Sequence, residues 1–410
     1  MKIETKLLVI ADDFTGAMDT AVQFTKLGIE TLVYRKLEIV SFLEAEVVVV
    51  NINSRHLSKE EAYSLVARLT KKAVQNGVEY FYKKTDSALR GHIGSELSAM
   101  LNESGSGTMF FVPSYPKMNR ITVGGTQYIG VTKVSESAFK DDPFNPVTES
   151  YIPKIIGQET DEKVYITHAR ESLNLTSGIV VVDSITEEDL MFTADKLKAL
   201  DAKVFAGCAG FAEFLPMIIK FSTVRSKKYI KRSKSLIPIT ASVNPITLAQ
   251  LKYAKKEGFE VFTLSKSQKM HKEYFSTLYF HKTVEKIYEK FKADEPVALA
   301  SVMKATDYIT PEGYDLKAVA EQLAGNMALI ARQLLWYSTA ALFIIGGDLL
   351  EALFDVLKST TIIPKNEILP GVVEFEIIVK GKRKTIISKS GGFGNEDCIV
   401  EVFNRYARKK

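Results

Sequence analysis

Short apolar runs alternate along the chain with longer stretches of helical periodicity. Residues 7–11, 47–50, 109–112 and 341–345 are continuous apolar runs, which are typical of central strands in parallel sheets. Stretches with the spacing of amphipathic helices follow the first two runs and the last. Because strands and helices alternate in both halves, the pattern predicts two α/β domains with mostly parallel sheets.

The length of the chain and one basic segment predict where the two domains meet. A chain of 410 residues is longer than one hydrophobic core usually supports, so two domains are expected. Residues 225–234 include six basic residues in ten and show no apolar periodicity, which fits a solvated linker better than a nucleic-acid patch. We therefore predict domains over residues 1–224 and 236–410, joined by a basic linker over 225–235.

Polar residues follow the apolar runs of the first half. Asp12 and Asp13 come directly after the first run, Arg55 follows the second, and Asp183 ends a later one. Two carboxylates behind a buried strand are costly unless they meet a cation, a metal or a polar ligand, although one of them is enough to cap the next helix. Arg55 can bind a carboxylate or phosphate with two hydrogen bonds, or pair with a neighbouring acid. Their recurrence at strand ends favours a ligand site at one edge of the sheet.

The densest set of polar residues lies between a predicted strand and a predicted helix. It comprises Lys84, Thr85, Asp86, Ser87 and Arg90. Ligands bind at such junctions because loops at the carboxyl ends of strands meet helix N-termini, which favour anions. On spacing alone, an ordinary capped turn explains the stretch equally well.

Three predicted strand-to-helix junctions in the second half contain small residues. They are Ser242, the turn at Gly346 and Gly347, and the turn at residues 391–394, after which a closing helix is predicted from Asn395. Glycine lets backbone N–H groups approach an anion closely, so three such turns favour a phosphate site. Single Gly-Gly turns are more often structural, and neither common glycine-rich nucleotide motif occurs in the chain.

Composition and charge exclude several classes of function. The chain is 46% hydrophobic and 25% charged, as in globular proteins, and its net charge of +5 does not indicate a nucleic-acid partner. Two cysteines make no disulfide scaffold, and five isolated histidines lack metal-ligand spacing, so no metal-ligating residue is predicted. Apolar stretches are too short for a signal peptide or a membrane span, so we predict a cytoplasmic protein without a membrane partner.

Several motifs together resemble the four-carbon acid sugar kinase family. They are ADDFTGA at 11–17, NSR at 53–55, KTDSALRG at 84–91 and the segment 113–146. Members of this family phosphorylate D-threonate, D-erythronate or 3-oxo-tetronates with ATP. The resemblance implies the same activity here, in carbohydrate catabolism, with the sugar acid bound by the first domain and ATP by the second.

The resemblance also assigns residues to each ligand. The implied sugar-acid contacts are Asp12, Asp13, Arg55, Lys84, Thr85, Asp86, Ser87 and Arg90. The implied ATP contacts are Ser242, Gly346, Gly347, Asp348, Leu349, Gly391, Gly392, Phe393 and Gly394. Either Asp86 or Asp12 is the expected catalytic carboxylate, which orients the accepting hydroxyl or takes its proton late. Mg²⁺ is expected to be held mainly by the phosphates of ATP and by waters.

The ATP motifs depart from the family pattern more than the sugar-acid motifs do. Asp348 and Leu349 stand where the family usually has Glu and Thr. In the first half of the chain, Asn119 precedes Arg120 where the family has Gly. A non-catalytic sugar-acid sensor derived from such a kinase is therefore the alternative function. A nicotinamide-dependent dehydrogenase also fits two α/β domains, but the dinucleotide fingerprint is missing. The sequence is compatible with a homodimer.

Overall fold

The computed structural model describes residues 3–142, 145–174, 177–222, 236–265, 278–292, 295–304, 316–337 and 340–407. The chain forms two compact units, Met1–Lys227 and Lys228–Lys410. The segment predicted as a basic linker, residues 225–235, lies outside the described residues. Within the described ranges, no helix combines the length and the apolar character that crossing a lipid bilayer requires.

The first unit is built on a parallel sheet. Its strands are β1 Leu7–Ala11, β2 Thr31–Tyr34, β3 Val47–Asn51, β4 Tyr80–Lys84, β5 Thr108–Val112, β9 Val164–His168, β10 Gly178–Asp183 and β11 Val204–Gly207, while β6 Arg120–Val123, β7 Thr126–Ile129 and β8 Thr132–Lys133 form a small separate sheet. The order in the large sheet is β2-β3-β1-β4-β11-β5-β10-β9, and all neighbours pair in parallel. Because β1 lies between β3 and β4, the carboxyl ends of these three strands are adjacent.

Helices connect the strands of the first unit. They are α1 Phe14–Thr25, α2 Lys59–Gln75, α3 Ile93–Ser104, α4 Ile152–Gly157, α5 Glu187–Ala199, α6 Ala209–Ala212 and α7 Leu215–Ile218. A capping box opens α2, since Ser58 and Glu61 each bind the other's backbone N–H through a side chain. Leu69 of α2 and Leu97 of α3 belong to one buried apolar cluster with β1 and β3.

A hairpin with a Gly-Gly turn forms part of the small separate sheet. β6 and β7 pair antiparallel, and Gly124 and Gly125 adopt φ angles of 57° and 70°, which favour glycine. Asp183, at the end of β10, accepts hydrogen bonds from both glycine N–H groups, at 2.5 and 2.9 Å. The carboxylate of Asp183 therefore fixes this turn.

The second unit has its own sheet. Its strands are β12 Leu236–Thr240, β13 Glu260–Thr263, β14 Val297–Ala300, β15 Ala341–Ile345, β16 Thr361–Leu369, β17 Val372–Val379 and β18 Lys382–Lys389, and its helices are α8 Pro245–Lys256, α9 Leu278–Lys292, α10 Leu316–Tyr337, α11 Gly347–Leu357 and α12 Cys398–Ala407. The strand order is β13-β14-β12-β15-β18-β17-β16. Pairing is parallel from β13 to β18, whereas β16, β17 and β18 form an antiparallel meander.

The predicted start of the closing helix is wrong, because α12 begins at Cys398 and not at Asn395. The N–H of Cys398 closes a turn onto the carbonyl of Asn395, and the Gln250 side-chain amide binds that same carbonyl at 2.8 Å. Residues 395–397 are therefore held as a turn. The strands β2, β8, β9, β16 and β17 were not predicted from the sequence.

Candidate functional site

Charged side chains meet at the adjacent carboxyl ends of β3, β1 and β4 in the first unit. Asp12 and Asp13 follow β1, Arg55 follows β3, Lys84 is the last residue of β4, and Asp86 lies just beyond it. Most of their surface is withdrawn from water, so the interactions among them are screened far less than those of surface charges. We call these five residues the charged cluster.

Arg55 is the centre of the charged cluster. Its Nε lies 2.5 Å from Asp12 Oδ2, and its Nη2 lies 3.0 Å from Asp13 Oδ1 and 3.3 Å from Asp86 Oδ1. Although burial opposes the charged guanidinium, the three carboxylates together raise the pKa of Arg55 well above its usual value. One cation thus holds together the loops that follow three strands.

The two adjacent aspartates have different roles. Asp13 caps α1, since its Oδ1 accepts a hydrogen bond from the N–H of Gly16 at 3.0 Å. Asp12 is 2% exposed, and its Oδ1 is buried without a hydrogen-bond partner among the described residues. Burial works against ionisation, but Arg55, Lys84 and Lys83 still lower the pKa of Asp12. Asp12 therefore presents a buried, ionised carboxylate with one oxygen unsatisfied.

The carboxylate of Asp86 is saturated. It accepts hydrogen bonds from Nε and Nη2 of Arg90 at 2.9 and 3.1 Å, from Arg55, and from the N–H groups of Ala88 and Arg90. These contacts outweigh burial and hold the pKa of Asp86 far below its usual range. The Arg90 guanidinium also pairs with Asp142 at 3.0 Å and lies over the Phe139 ring. Asp86 and Arg90 thus fix the loop geometry.

Lys84 supplies a buried cation without a direct counter-charge. The residue is 5% exposed, and it makes no ion pair within 4 Å in the part of the chain that the structure describes. Its Nζ lies above the start of α1, where a Cβ added to Gly16 would come within 2.3 Å of it. Thr85 adds a buried hydroxyl that has no hydrogen-bond partner among the described residues, whereas Ser87 is half-buried. An anionic, hydroxylated ligand would satisfy such groups.

Arg120 is a further cation close to Asp86, although the sequence did not single it out as a site residue. Its Nη1 donates to the carbonyl of Met118 at 2.7 Å, while its Nε is buried with no partner among the described residues. Burial lowers the pKa of the Arg120 guanidinium, and the nearby charge of Asp86 offsets that effect only in part. The signal in the sequence was the match of Arg120 to a family motif, and the structure adds the unsatisfied donor.

A buried ion pair lies behind the charged cluster. Lys83 Nζ lies 2.9 Å from Glu96 Oε2, with both side chains almost completely buried. The Ser54 hydroxyl donates to the other Glu96 oxygen, and the Ser54 N–H donates to the carbonyl of Asp12. Burial raises the pKa of Glu96, and Lys83 opposes the shift. The pair therefore supports the loops that carry Arg55 and Asp12.

Replacing Lys83 with methionine is expected to lower the free energy of unfolding by about 3 kcal/mol, because Glu96 would be left buried without its cation. Adding Glu96→Gln should recover part of this loss, because the uncompensated carboxylate is then gone. Denaturant titrations of these two variants and of Glu96→Gln alone measure the coupling. Glu103→Gln, further along α3, is the control and should change stability by less than about 0.5 kcal/mol. Strictly additive losses for Lys83 and Glu96 would contradict the pair.

In the second unit, the three predicted turns converge at the ends of the adjacent strands β12, β15 and β18. A Cβ added to Gly391 would lie 2.7 Å from Ser242 Oγ, and one added to Gly346 would lie 3.8 Å from Ser242 Cβ. Gly346 has a φ of 114°, a conformation that other residues rarely adopt. The backbone therefore forms a narrow cradle between two helix N-termini, those of α8 and α11, as phosphate groups require.

The turn at residues 391–394 is held through its carbonyl groups. Thr247 Oγ1 donates to the carbonyl of Gly391 at 2.7 Å, and Gln250 Nε2 donates to those of Phe393 and Gly394 at 3.0 and 3.1 Å. The N–H groups of Gly391, Gly392 and Gly394 bind no described residue. With the carbonyls bound from one side and the N–H groups unused, the turn fits an anion.

The remaining predicted ATP residues differ in their surroundings. Asp348 is exposed in the first turn of α11, as is Gly347 before it. Leu349 is 1% exposed, so its side chain belongs to the core and only its backbone can contribute to a site. Phe393 is partly exposed and packs against Gly371. Within the described ranges, there is no group of three or more His, Cys, Asp or Glu side chains that could hold a metal ion.

Two family models match the chain. The model described as a sugar-binding N-terminal domain covers residues 7–215, and the model described as a nucleotide-binding C-terminal domain covers residues 238–399. The first contains the charged cluster, and the second contains all three glycine- and serine-bearing turns up to Gly394.

Curated relatives are similar to the chain over nearly its full length. It is 27% identical to a D-erythronate kinase of Heliobacterium modesticaldum, with 96% of this chain and 95% of the relative aligned. It is 25% identical to a D-threonate kinase of Salmonella typhimurium, with 97% of each aligned. It is 23% identical to a 3-oxo-tetronate kinase of Haemophilus influenzae, with 95% of this chain and 97% of the relative aligned.

The fold is also similar to that of a solved structure. A protein of Salmonella typhimurium LT2 superimposes with a TM-score of 0.83 over 98% of each chain, at 19% sequence identity. At this level of identity, the likeness supports the fold alone.

Proposed function

Because the chain belongs to the four-carbon acid sugar kinase family, whose members transfer phosphoryl groups to alcohols, we propose that it uses ATP to phosphorylate a four-carbon sugar acid. D-erythronate, D-threonate and 3-oxo-tetronates are the candidate substrates. The observation that carries the proposal is a set of unsatisfied polar groups in the first unit. Lys84, Thr85 and one oxygen of Asp12 lie at the carboxyl ends of β4 and β1, and Arg120 comes from the β6–β7 hairpin.

These groups fit an acid better than a neutral sugar. Lys84 and Arg120 are cations whose charges no described carboxylate neutralises through a direct ion pair. A carboxylate offers two acceptor oxygens, which the guanidinium of Arg120 can bind side by side. The hydroxyl groups of the acid then match Thr85 and Asp12. We assign substrate binding to this face of residues 1–224 and nucleotide binding to residues 236–410.

We assign the catalytic carboxylate to Asp12 and not to Asp86. Phosphoryl transfer depends mainly on positioning and charge stabilisation, and a carboxylate that accepts the hydroxyl proton late is sufficient. The unsatisfied Asp12 Oδ1 can accept a substrate hydroxyl, whereas both Asp86 oxygens are already bound by arginines and N–H groups. Lys84 would stabilise negative charge that develops close to this hydroxyl.

ATP fits the cradle of the second unit. The N–H groups of Gly391, Gly392 and Gly394 would bind phosphate oxygens, with Ser242 and the Gly346–Gly347 turn on the other side. Mg²⁺ would neutralise charge on the phosphates and would be bound mostly by them and by water. The hydrophobic position of Leu349 does not interfere, because its side chain points into the core.

The proposal is tested by ADP release from MgATP in the presence of each candidate acid. At least one acid should stimulate ADP formation by more than about tenfold over the protein alone, which corresponds to about 1.4 kcal/mol in activation free energy. Erythritol and threitol, which have the hydroxyls but no carboxylate, are the matched controls and should not stimulate it. Binding of an acid without any ADP formation would favour the sensor alternative. Stimulation by the polyols would overturn the assignment of Lys84 and Arg120.

A further inference from the structure

A buried lysine lies directly beneath the glycine-rich turn of the second unit. Lys389 is the last residue of β18 and is 3% exposed. Its Nζ donates to the carbonyl groups of Ser390 and Phe393 at 3.0 and 2.9 Å. The ammonium thus helps to bind the carbonyls of a turn whose glycine N–H groups are unused.

The charge of Lys389 has no counter-charge in the part of the chain that the structure describes. It forms no ion pair there, and its two hydrogen bonds go to neutral carbonyls. Burying an ammonium without an anion is costly, so such a site gains most from an anion that arrives with a ligand. Burial accordingly lowers the pKa of Lys389 to about 8.

Among the residues that the structure describes, few titratable groups lie close to Lys389. Ile345 of β15 and Val372 of β17 pair with it in the sheet, and Gln250 of α8 is neutral. Among the described residues, the titratable group close to it is the thiol of Cys398 on α12. Burial raises the pKa of that thiol, so Cys398 stays protonated near pH 8.

We propose that Lys389 is the buried counter-charge for the phosphate groups of the nucleotide, and that nucleotide binding is coupled to protonation of this lysine. The inference rests on the proposed function, because it takes the turn at residues 391–394 as the phosphate site. The ammonium acts from below the turn, while the N–H groups of Gly391, Gly392 and Gly394 face the ligand. Lys389 is therefore a positioning and charge-balancing residue.

The direction of the pH dependence follows from the charges. A phosphate close to Lys389 stabilises the ammonium, so the pKa of the lysine rises when nucleotide binds. If the bound state stays protonated, affinity follows the protonated fraction of the free protein, which falls about tenfold between pH 7 and pH 9 for a pKa of about 8. Binding near pH 8.5 should take up more than half a proton.

Calorimetry of ADP binding to the full-length protein tests this coupling. Titrations at pH 7, 8 and 9 give the affinity, and buffers with different protonation enthalpies give the proton uptake. Lys389→Met should bind ADP about tenfold more weakly at pH 7 and with the same affinity at pH 9 as at pH 7. The control is Lys382→Met at the exposed start of the same strand, which should behave like the unmodified protein.

The outcomes distinguish a failure of this inference from a failure of the proposed function. Failure of the unmodified protein to bind ADP at pH 7 would overturn the proposed function itself. ADP binding without proton uptake, or with an equal pH dependence in Lys389→Met, would overturn only the role of Lys389. If Lys389→Met does not fold, proton uptake by the unmodified protein decides alone.

Discussion

Asp12→Asn is expected to lower kcat by about three orders of magnitude, within the range that a positioned carboxylate contributes to proton transfer. The amide keeps the size of the side chain but no longer accepts a proton. Oδ1 of Asp12 is buried without a partner among the described residues, and Lys84 is close enough to lower the pKa of this carboxylate. KM for the sugar acid should change much less than kcat, because the amide oxygen still accepts a hydrogen bond from a hydroxyl.

The adjacent aspartate provides a matched control. Asp13→Asn makes the same chemical change one residue away, and the amide oxygen can still cap α1 by accepting from Gly16. Its kcat should fall by less than about tenfold, since the loss is one charge near Arg55. Steady-state kinetics with the best acid found for the unmodified protein compares the two. Equal losses in the two variants would contradict the assignment of Asp12.

The general location of the site follows from the sequence because of how parallel sheets are built. Asp12, Arg55 and Asp86 come after different apolar runs, and parallel strands bring their carboxyl ends to one edge. The sequence does not show which of the two aspartates caps α1. Asp12 and Asp13 are adjacent, and the cap depends on where the helix begins and how it is oriented. The saturation of Asp86 also depends on the path of the loop to Arg90.

Other features lie outside the patterns that a sequence shows. Arg120 is contributed by a hairpin and not by a strand end, so the rule that located the other residues does not apply to it. The strand β16 contains Pro364 and register shifts on both sides of residues 366–367, which break the alternation expected of a strand. Lys389 looks like an ordinary polar end of a strand until its burial is known.

Arg55→Met is expected to lower the free energy of unfolding at pH 7 by about 4 kcal/mol, the usual cost of breaking a buried ion pair. The guanidinium is the shared partner of Asp12, Asp13 and Asp86, and its side chain is only 12% exposed. Removing it leaves Asp12 buried with no hydrogen-bonded cation, while Asp86 keeps Arg90. Denaturant unfolding measures the loss, and Arg68→Met on the exposed face of α2 should change stability by less than about 0.5 kcal/mol.

The pH dependence of this loss identifies its electrostatic origin. In the unmodified protein, the pKa values of Asp12 and Asp86 lie below those of an unfolded chain. These carboxylates therefore stabilise the fold above about pH 4, and that stabilisation disappears as the pH falls through their folded pKa values. Without Arg55, burial raises the pKa of Asp12, so the variant gains stability relative to the unmodified protein as Asp12 becomes protonated. The difference between the two proteins should thus be largest near pH 7 and should shrink towards pH 4. A difference that stays constant over this range would mean that Arg55 stabilises the loops by packing and not by its charge.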